Sequence, residues 1–239
     1  MSLWGEFTCP TWSYEEIRWY TILPFSTPKV RAIKRIGPHN KDILSVLIGS
    51  LLGDASAEKH GEGTRFCFQQ EHSNRGYLLW FHSFVSDLGY CNPNTPHILT
   101  RLGANGKIRQ LSRFKTFTYT SFNWILDFFY ISVESQRIKI VPAIIEDYLT
   151  PLALAVWIMD DGGAVSYGVK LATNSFTLQE VELLCNIINH KYRIAARPVS
   201  AGVPNQHLIY IPASSLLTLA NIVGPHLHPS MYYKLNYHL

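Results

Sequence analysis

The chain carries one pattern twice, and that repetition constrains its architecture more than any other feature of its 239 residues. Residues 43–54 form an apolar run that ends in a single acid, Asp54, and residues 151–163 form another that ends in Asp160-Asp161-Gly162-Gly163. Each run is followed by a strand–turn–strand pattern and then a second helical pattern. Asp54 and Asp161 lie 107 positions apart. A repeat of this length implies two like halves about a pseudo-twofold axis, with the two carboxylates brought together at that axis.

Both acids stand at the C-terminal end of a helical run, where the helix dipole is negative. That placement costs roughly 0.3–1 kcal/mol per exposed acid. If the two helices also pack together, the carboxylates repel by about 4 kcal/mol at a separation near 4 Å and an effective dielectric near 20. Cations would offset both terms. Carboxylate oxygens without clustered His or Cys point to Mg²⁺ rather than Zn²⁺. Ser45, Gly49 and Gly53 recur every four residues, a stripe small enough to let a second helix approach. One such helix alone reads as an ordinary core helix whose Asp meets solvent. Two at equivalent positions favour the paired reading.

Hydrophobic residues make up 47% of the chain, ample for a core, and the net charge of +4 leans mildly toward anionic partners. Cys9, Cys67, Cys91 and Cys185 lack metal-ligand spacing, so free thiols in a reducing compartment are expected. The apolar runs are too short to span a bilayer, and the N-terminus lacks the basic-then-apolar order of a secretory leader. There is no G-x-S-x-G, H-E-x-x-H or phosphate loop.

Residues 1–40 read as an irregular, Pro-interrupted arm, with a short helix over 14–20. Lys29, Arg31, Lys34 and Arg35 make it basic, which fits either a solvated arm or phosphate contact. From Lys41 the pattern is helix, hairpin, helix, hairpin, helix. Residues 64–70 alternate, with Phe66 and Phe68 on one face and Arg65, Cys67 and Gln69 on the other. Helices are expected over 76–88 and 122–130, and strands over 98–101 and 113–120, joined by a polar connection through 103–107. The second half predicts strands over 165–167 and 169–174 flanking Gly168, then a helix over 178–192. Strands over 193–199 and 206–211 and a helix over 214–223 complete it, with the linker between halves near 132–142. Strands with one apolar and one polar face belong to antiparallel sheets covered by helices on one side, an α+β class.

The segments from Leu47 to Ala55 and from Leu154 to Gly162 resemble the two degenerate signatures of LAGLIDADG homing endonucleases, with Asp54 and Asp161 at the acidic position. The resemblance extends over about residues 36–235. Tyr148-Leu149-Thr150-Pro151 before the second signature and Ser175-Phe176-Thr177 after it are similar to the single-chain, mitochondrial-intron type. It implies two αββαββα halves related by a pseudo-twofold axis, with saddle-shaped antiparallel sheets, packed through the two signature helices. The halves would occupy 41–138 and 139–239. The implied activity is hydrolysis of both strands of a long asymmetric DNA target by a monomer, with Mg²⁺. Mn²⁺ would substitute, and Ca²⁺ would bind without supporting cleavage.

By the same resemblance, Asp54 and Asp161 hold metal, assisted by the backbone carbonyls of Gly53 and Asp160. Lys139 and Lys234 match the basic residues beside each site, and Gln69 and Asn174 resemble the polar pair that orders active-site water. Routine linker and tail lysines, and ordinary sheet amides, are the alternatives. The sheets' polar faces would straddle the major groove, with Arg65, Lys59, Arg101, Arg113, Lys115, Lys170 and Arg197 as candidate DNA contacts. An organellar, intron-encoded origin follows from the family, as does intron RNA as a further partner. An RNA maturase and a catalytically silent DNA-binding protein on the same fold are the competing readings. Two departures from the consensus stand out: Val156 replaces the small residue that Gly49 keeps, and bulky Trp157 stands opposite Ser50. The helix contact is therefore expected to be asymmetric.

Overall fold

The computed structural model describes residues 30–235, apart from 104, 105, 107 and 135. The helix expected over 14–20, Lys29, Cys9 and most of the 103–107 connection lie outside the described residues.

Helix α1 (Lys41–Leu52) starts at Asn40, whose side-chain oxygen accepts from the Asp42 amide at 2.6 Å. The chain turns at Gly53 and Asp54 and enters a hairpin of β1 (Ser56–His60) and β2 (Gly63–Glu71). After α2 (Arg75–Asp87), β3 (Ile98–Leu102) and β4 (Ile108–Lys115) complete an antiparallel sheet of order β1-β2-β4-β3. Helix α3 (Asn123–Phe129) follows. Phe66, Phe68 and Phe114 point to the helices and are buried, while Arg65, Cys67 and Arg113 face outward.

The second unit repeats the first. A one-turn helix, α4 (Ile145–Tyr148), precedes α5 (Pro151–Asp161), which is capped by the Thr150 hydroxyl and opens with a proline, as helix starts favour. Then come β7 (Gly162–Val165), β8 (Gly168–Ala172), α6 (Leu178–Tyr192), β9 (Arg197–Ser200), β10 (His207–Pro212) and α7 (Leu216–Val223). The sheet order, β7-β8-β10-β9, matches that of the first. The fold is α+β, with each sheet covered by helices on one side.

The two signature helices form the central seam. Gly49 sits so close to α5 that an added Cβ would lie 2.3 Å from the Ala153 carbonyl oxygen. Gly53 meets the Asp160 side chain in the same way, at 2.6 Å from its Cβ. The small-residue stripe thus serves the close approach its spacing suggested. Trp157 is fully buried, and neither its Nε1 nor the Oγ of its counterpart Ser50 finds a hydrogen-bond partner.

Four expectations need correction. The strand expected over 165–167 lies earlier, at Gly162–Val165, because the chain enters the ladder opposite Leu171 directly after the helix, and residues 166–167 form the turn. The strand expected over 113–120 lies earlier, at Ile108–Lys115, because its polar first half pairs with β3, as Arg109 does with Arg101. Beyond it the chain leaves the sheet, and only Thr116 and Tyr119 make isolated bridges. The strand expected from 193 begins at Arg197, because Arg193 ends α6 in a left-handed conformation, φ 57°. The linker region is not plain coil: β5 (Tyr130–Val133) and β6 (Gln136–Lys139) pair as a hairpin of their own. Among the described cysteines, Cys67, Cys91 and Cys185 are free thiols. No helix of the described residues is long and apolar enough to cross a membrane.

Candidate active site and nucleic-acid interface

Asp54 and Asp161 converge where α1 and α5 end. Asp54 is exposed and Asp161 partly buried. Burial first, and the charge of Asp54 second, push the Asp161 carboxyl from the usual 3.8 to about 7. Asp160 is pushed well above the usual carboxylate range by the same two causes in the same order. Three acids therefore share one pole of the molecule, and the repulsion anticipated from the sequence is present.

The cations that answer it are Lys139, at the end of β6, and Lys234, in the 3₁₀ turn Pro229–Leu235. Lys139 Nζ donates to the carbonyls of Ala55 at 2.8 Å and Gly53 at 3.3 Å. Lys234 Nζ donates to the carbonyls of Met159 at 2.5 Å and Asp160 at 2.9 Å. Each ammonium thus sits on unpaired carbonyls where its signature helix ends, the negative pole of that helix. Burial pulls both lysines below their usual range, and the acids pull them back up.

The carbonyls of Gly53 and Asp160 that were expected to join the metal set are these same lysine acceptors. A carbonyl oxygen has two lone pairs, so one remains on each. No group of three or more His, Cys, Asp or Glu side chains among the described residues forms a metal cage. Two carboxylates and two carbonyls, all hard oxygens, fit a Mg²⁺-like ion that keeps its waters and takes further oxygens from a phosphate. Asp54, Asp161, Gly53 and Asp160 are the residues that would hold it.

The polar pair is displaced from its expected positions. Ala57 pairs with Phe66 and Ala164 with Val169, each alanine three residues past its acid. Counting on along β2 and past β8 makes Gln70 the counterpart of Thr173, and Glu71 that of Asn174. Gln69 points to the outer face opposite Arg113, and Asn174 is exposed. The glutamine that touches the acids is Gln70: its Nε2 donates to Asp54 Oδ2 at 2.6 Å and to Asp160 Oδ1 at 3.4 Å. Asn74 Nδ2 donates to Gln70 Oε1 at 3.2 Å, and the Tyr77 hydroxyl donates to Asp160 Oδ1 at 2.9 Å. Extending the Phe66–Phe68 alternation by one step would have found Gln70. Nothing local marks Asn74 or Tyr77, which come from the next turn and helix.

Strand pairing places Arg65, Lys115, Arg113 and Arg101 on the outer face of the first sheet, together with Arg109, which sequence reasoning passed over. Lys59 does not share that face. It pairs with Thr64, on the helix side, and sits exposed at the hairpin's edge. Glu58 holds Arg65 at 2.6 Å and Lys115 at 2.7 Å, and Arg109 pairs with Glu71. Arg101 and Arg113 make no ion pair among the described residues. The outer face of the second sheet carries Lys170 and Arg197 beside Tyr210, with the Arg197 guanidinium 5.0 Å from the Tyr210 ring centre. Its other members, among them Ala172, Val199, Leu208 and Pro212, carry no charge, so the two faces differ sharply in charge.

Known proteins share both the sequence and the fold. The chain is 47% identical over 209 residues to a protein of Saccharomyces cerevisiae named cytochrome b mRNA maturase bI2. That match covers 85% of this chain and 49% of the relative, so the chain spans about half of the yeast protein's length. A protein of the same name from Debaryomyces hansenii is 46% identical over 200 residues, covering 83% of this chain and 75% of its own. Among solved structures, the homing endonuclease I-WcaI bound to its DNA recognition sequence superposes with a TM-score of 0.73 at 26% identity, covering 91% of this chain and 96% of that one. The description LAGLIDADG DNA endonuclease family matches residues 44–219, with both signatures inside. The chain belongs to the LAGLIDADG DNA endonuclease family.

Proposed function

We propose that this chain is a site-specific endonuclease that hydrolyses both strands of a long DNA target with divalent metal, Mg²⁺ in the cell and Mn²⁺ as a substitute. The observation that carries the reading is the meeting of Asp54 and Asp161 at the seam between two outward-facing sheets, with a lysine ammonium held beside each acid. In this reading residues 41–138 and 139–239 are the two halves, each acting on one strand, so a monomer suffices. β6 crosses the division and delivers Lys139 to the first site.

The bound metal supplies Lewis-acid stabilisation of charge on the phosphate and on the leaving oxygen. The chain's own residues do the rest. The carboxylates of Asp54 and Asp161 would hold the cation, to which each reacting phosphate is drawn. Lys139 and Lys234 present positive charge beside it without needing to reorganise, because the carbonyls already hold them. Gln70 orients Asp54. Arg65, Arg101, Arg109, Arg113 and Lys115 grip the DNA on one side, and Lys170 and Arg197 on the other. Lys59 would reach only flanking phosphates.

A second reading has a specific observation behind it. The relatives from Saccharomyces and Debaryomyces are named mRNA maturases, so assistance to the splicing of an organellar intron RNA is proposed as an alternative or additional role. One experiment addresses both. Cleaved sites are selected from a randomised DNA library with Mg²⁺, and the intron in which the chain is encoded is assayed for splicing. Endonuclease function predicts a recovered double-strand cleavage site that disappears with Asp54→Asn, while DNA binding persists. Splicing without any recovered site would replace the first reading by the second.

A further inference from the structure

At the crossing of α1 and α5, the two halves cannot be alike. Gly53 and Asp160 occupy equivalent positions, each just before its half's acid. An added Cβ at Gly53 would lie 2.6 Å from Asp160 Cβ, closer than two carbons approach. Only one side chain fits on the axis, and the second half supplies it. The Asp160 carboxylate leans into the first half, where it accepts from Tyr77 at 2.9 Å and Gln70 at 3.4 Å.

The consequence runs one way. Asn74 holds the carbonyl end of the Gln70 amide, and the acids receive its amino end, so the amide has one orientation. That orientation commits Asp54 Oδ2 to Gln70, while Oδ1 accepts from no side chain among the described residues. Asp161 has no such partner: no side chain among the described residues hydrogen-bonds to its carboxylate. Thr173, at the position equivalent to Gln70, turns its hydroxyl to the His207 carbonyl at 2.7 Å instead.

We infer that Tyr77, Gln70 and Asp160 form a relay of positioning residues that pre-orients Asp54 but not Asp161, so that the first site binds metal more tightly and cuts its strand first. The inference rests on the endonuclease reading of the two acids. Partners behind a metal ligand commonly change metal affinity or activity by 10–100-fold when removed. Tyr77 acts through Asp160 and Gln70, so the low end of that range is expected.

The test is Tyr77→Phe, which deletes one hydroxyl and keeps the ring against Trp80 and Phe81. Gln70→Met is the second variant, similar in length but without the amino donors and without a new charge beside Asp54. Melting temperature without metal shows that each is folded. Free Mn²⁺ is followed by electron paramagnetic resonance while the protein alone is titrated with Mn²⁺. The wild type should show a tighter and a weaker site, and each variant should weaken the tighter one by roughly tenfold while leaving the weaker one in place. On a cleavable duplex labelled on each strand, the same variants should slow the faster strand selectively and remove the lag between strands. Equal sites in the wild type, or equal weakening of both in the variants, overturns the relay while leaving the endonuclease reading intact. Absence of both Mn²⁺ binding and cleavage in the wild type defeats the endonuclease reading and the relay with it.

Discussion

Replacing Asp161 with Asn should stabilise the metal-free protein, and by an amount that depends on pH. The folded carboxyl titrates at about 7 instead of the usual 3.8 because it is buried and faces Asp54. A raised pKa means that the folded state favours the protonated carboxyl. The associated stability is therefore fully present below the unfolded value of about 4 and is lost as pH rises through about 7. The full displacement corresponds to about 4 kcal/mol at about 1.4 kcal/mol per tenfold. Because the group is only partly buried, solvent screening reduces this to about 2 kcal/mol. Asp161→Asn removes the charge and hence the penalty. In EDTA at pH 8 it should raise the melting temperature by about 4–8 °C for a chain of this size, and at pH 4 it should change little. Thermal unfolding by circular dichroism at a series of pH values measures both. Adding Mg²⁺ should stabilise the wild type more than the variant, because the ion does in the wild type what the substitution does by itself. A melting difference that stays constant from pH 4 to pH 8 would refute the electrostatic account of the seam.

Two further outcomes follow from geometry. Gly49→Ala puts a methyl group 2.3 Å from the Ala153 backbone oxygen and must push the signature helices apart, so urea unfolding should show a loss of roughly 1–3 kcal/mol. Arg113→Ala removes an exposed outer-face cation without an ion pair. It should weaken DNA binding and lower the slope of log affinity against log salt by about 1, whereas Lys59→Ala, off that face, should change the slope less.

The two-helix seam was legible in the sequence because its signal is local and doubled, an apolar run closed by an acid in each half, with the small stripe Ser45, Gly49 and Gly53 added on the first. The inner faces of β2 and β8 were legible for the same reason, since Phe66 and Phe68, like Val169 and Leu171, alternate with polar neighbours. What escaped depends on pairing between distant segments. The start of β4 at Ile108 is fixed by backbone pairing with β3, and residues Arg109 and Gln110 carry no apolar alternation to announce it. Gln70 was missed by one residue because both Gln69 and Gln70 are amides, although the Phe66–Phe68 alternation already points to Gln70, and its register opposite Ser112 fixes it on the inner face. The Tyr77–Asp160 bond joins opposite halves, a distance no periodicity spans.

The glycine at position 53 also says something about the molecule's history. If the two units descend from one self-pairing ancestor, that ancestor had the same residue on both sides of its axis. Two aspartates would collide there, and two glycines would leave the pocket beside Tyr77 without its carboxylate. Once one copy acquired the acid, it could no longer pair with its own duplicate and fitted only against a glycine. Fusion into a single polypeptide became a ratchet, held in place by the room for one methylene group.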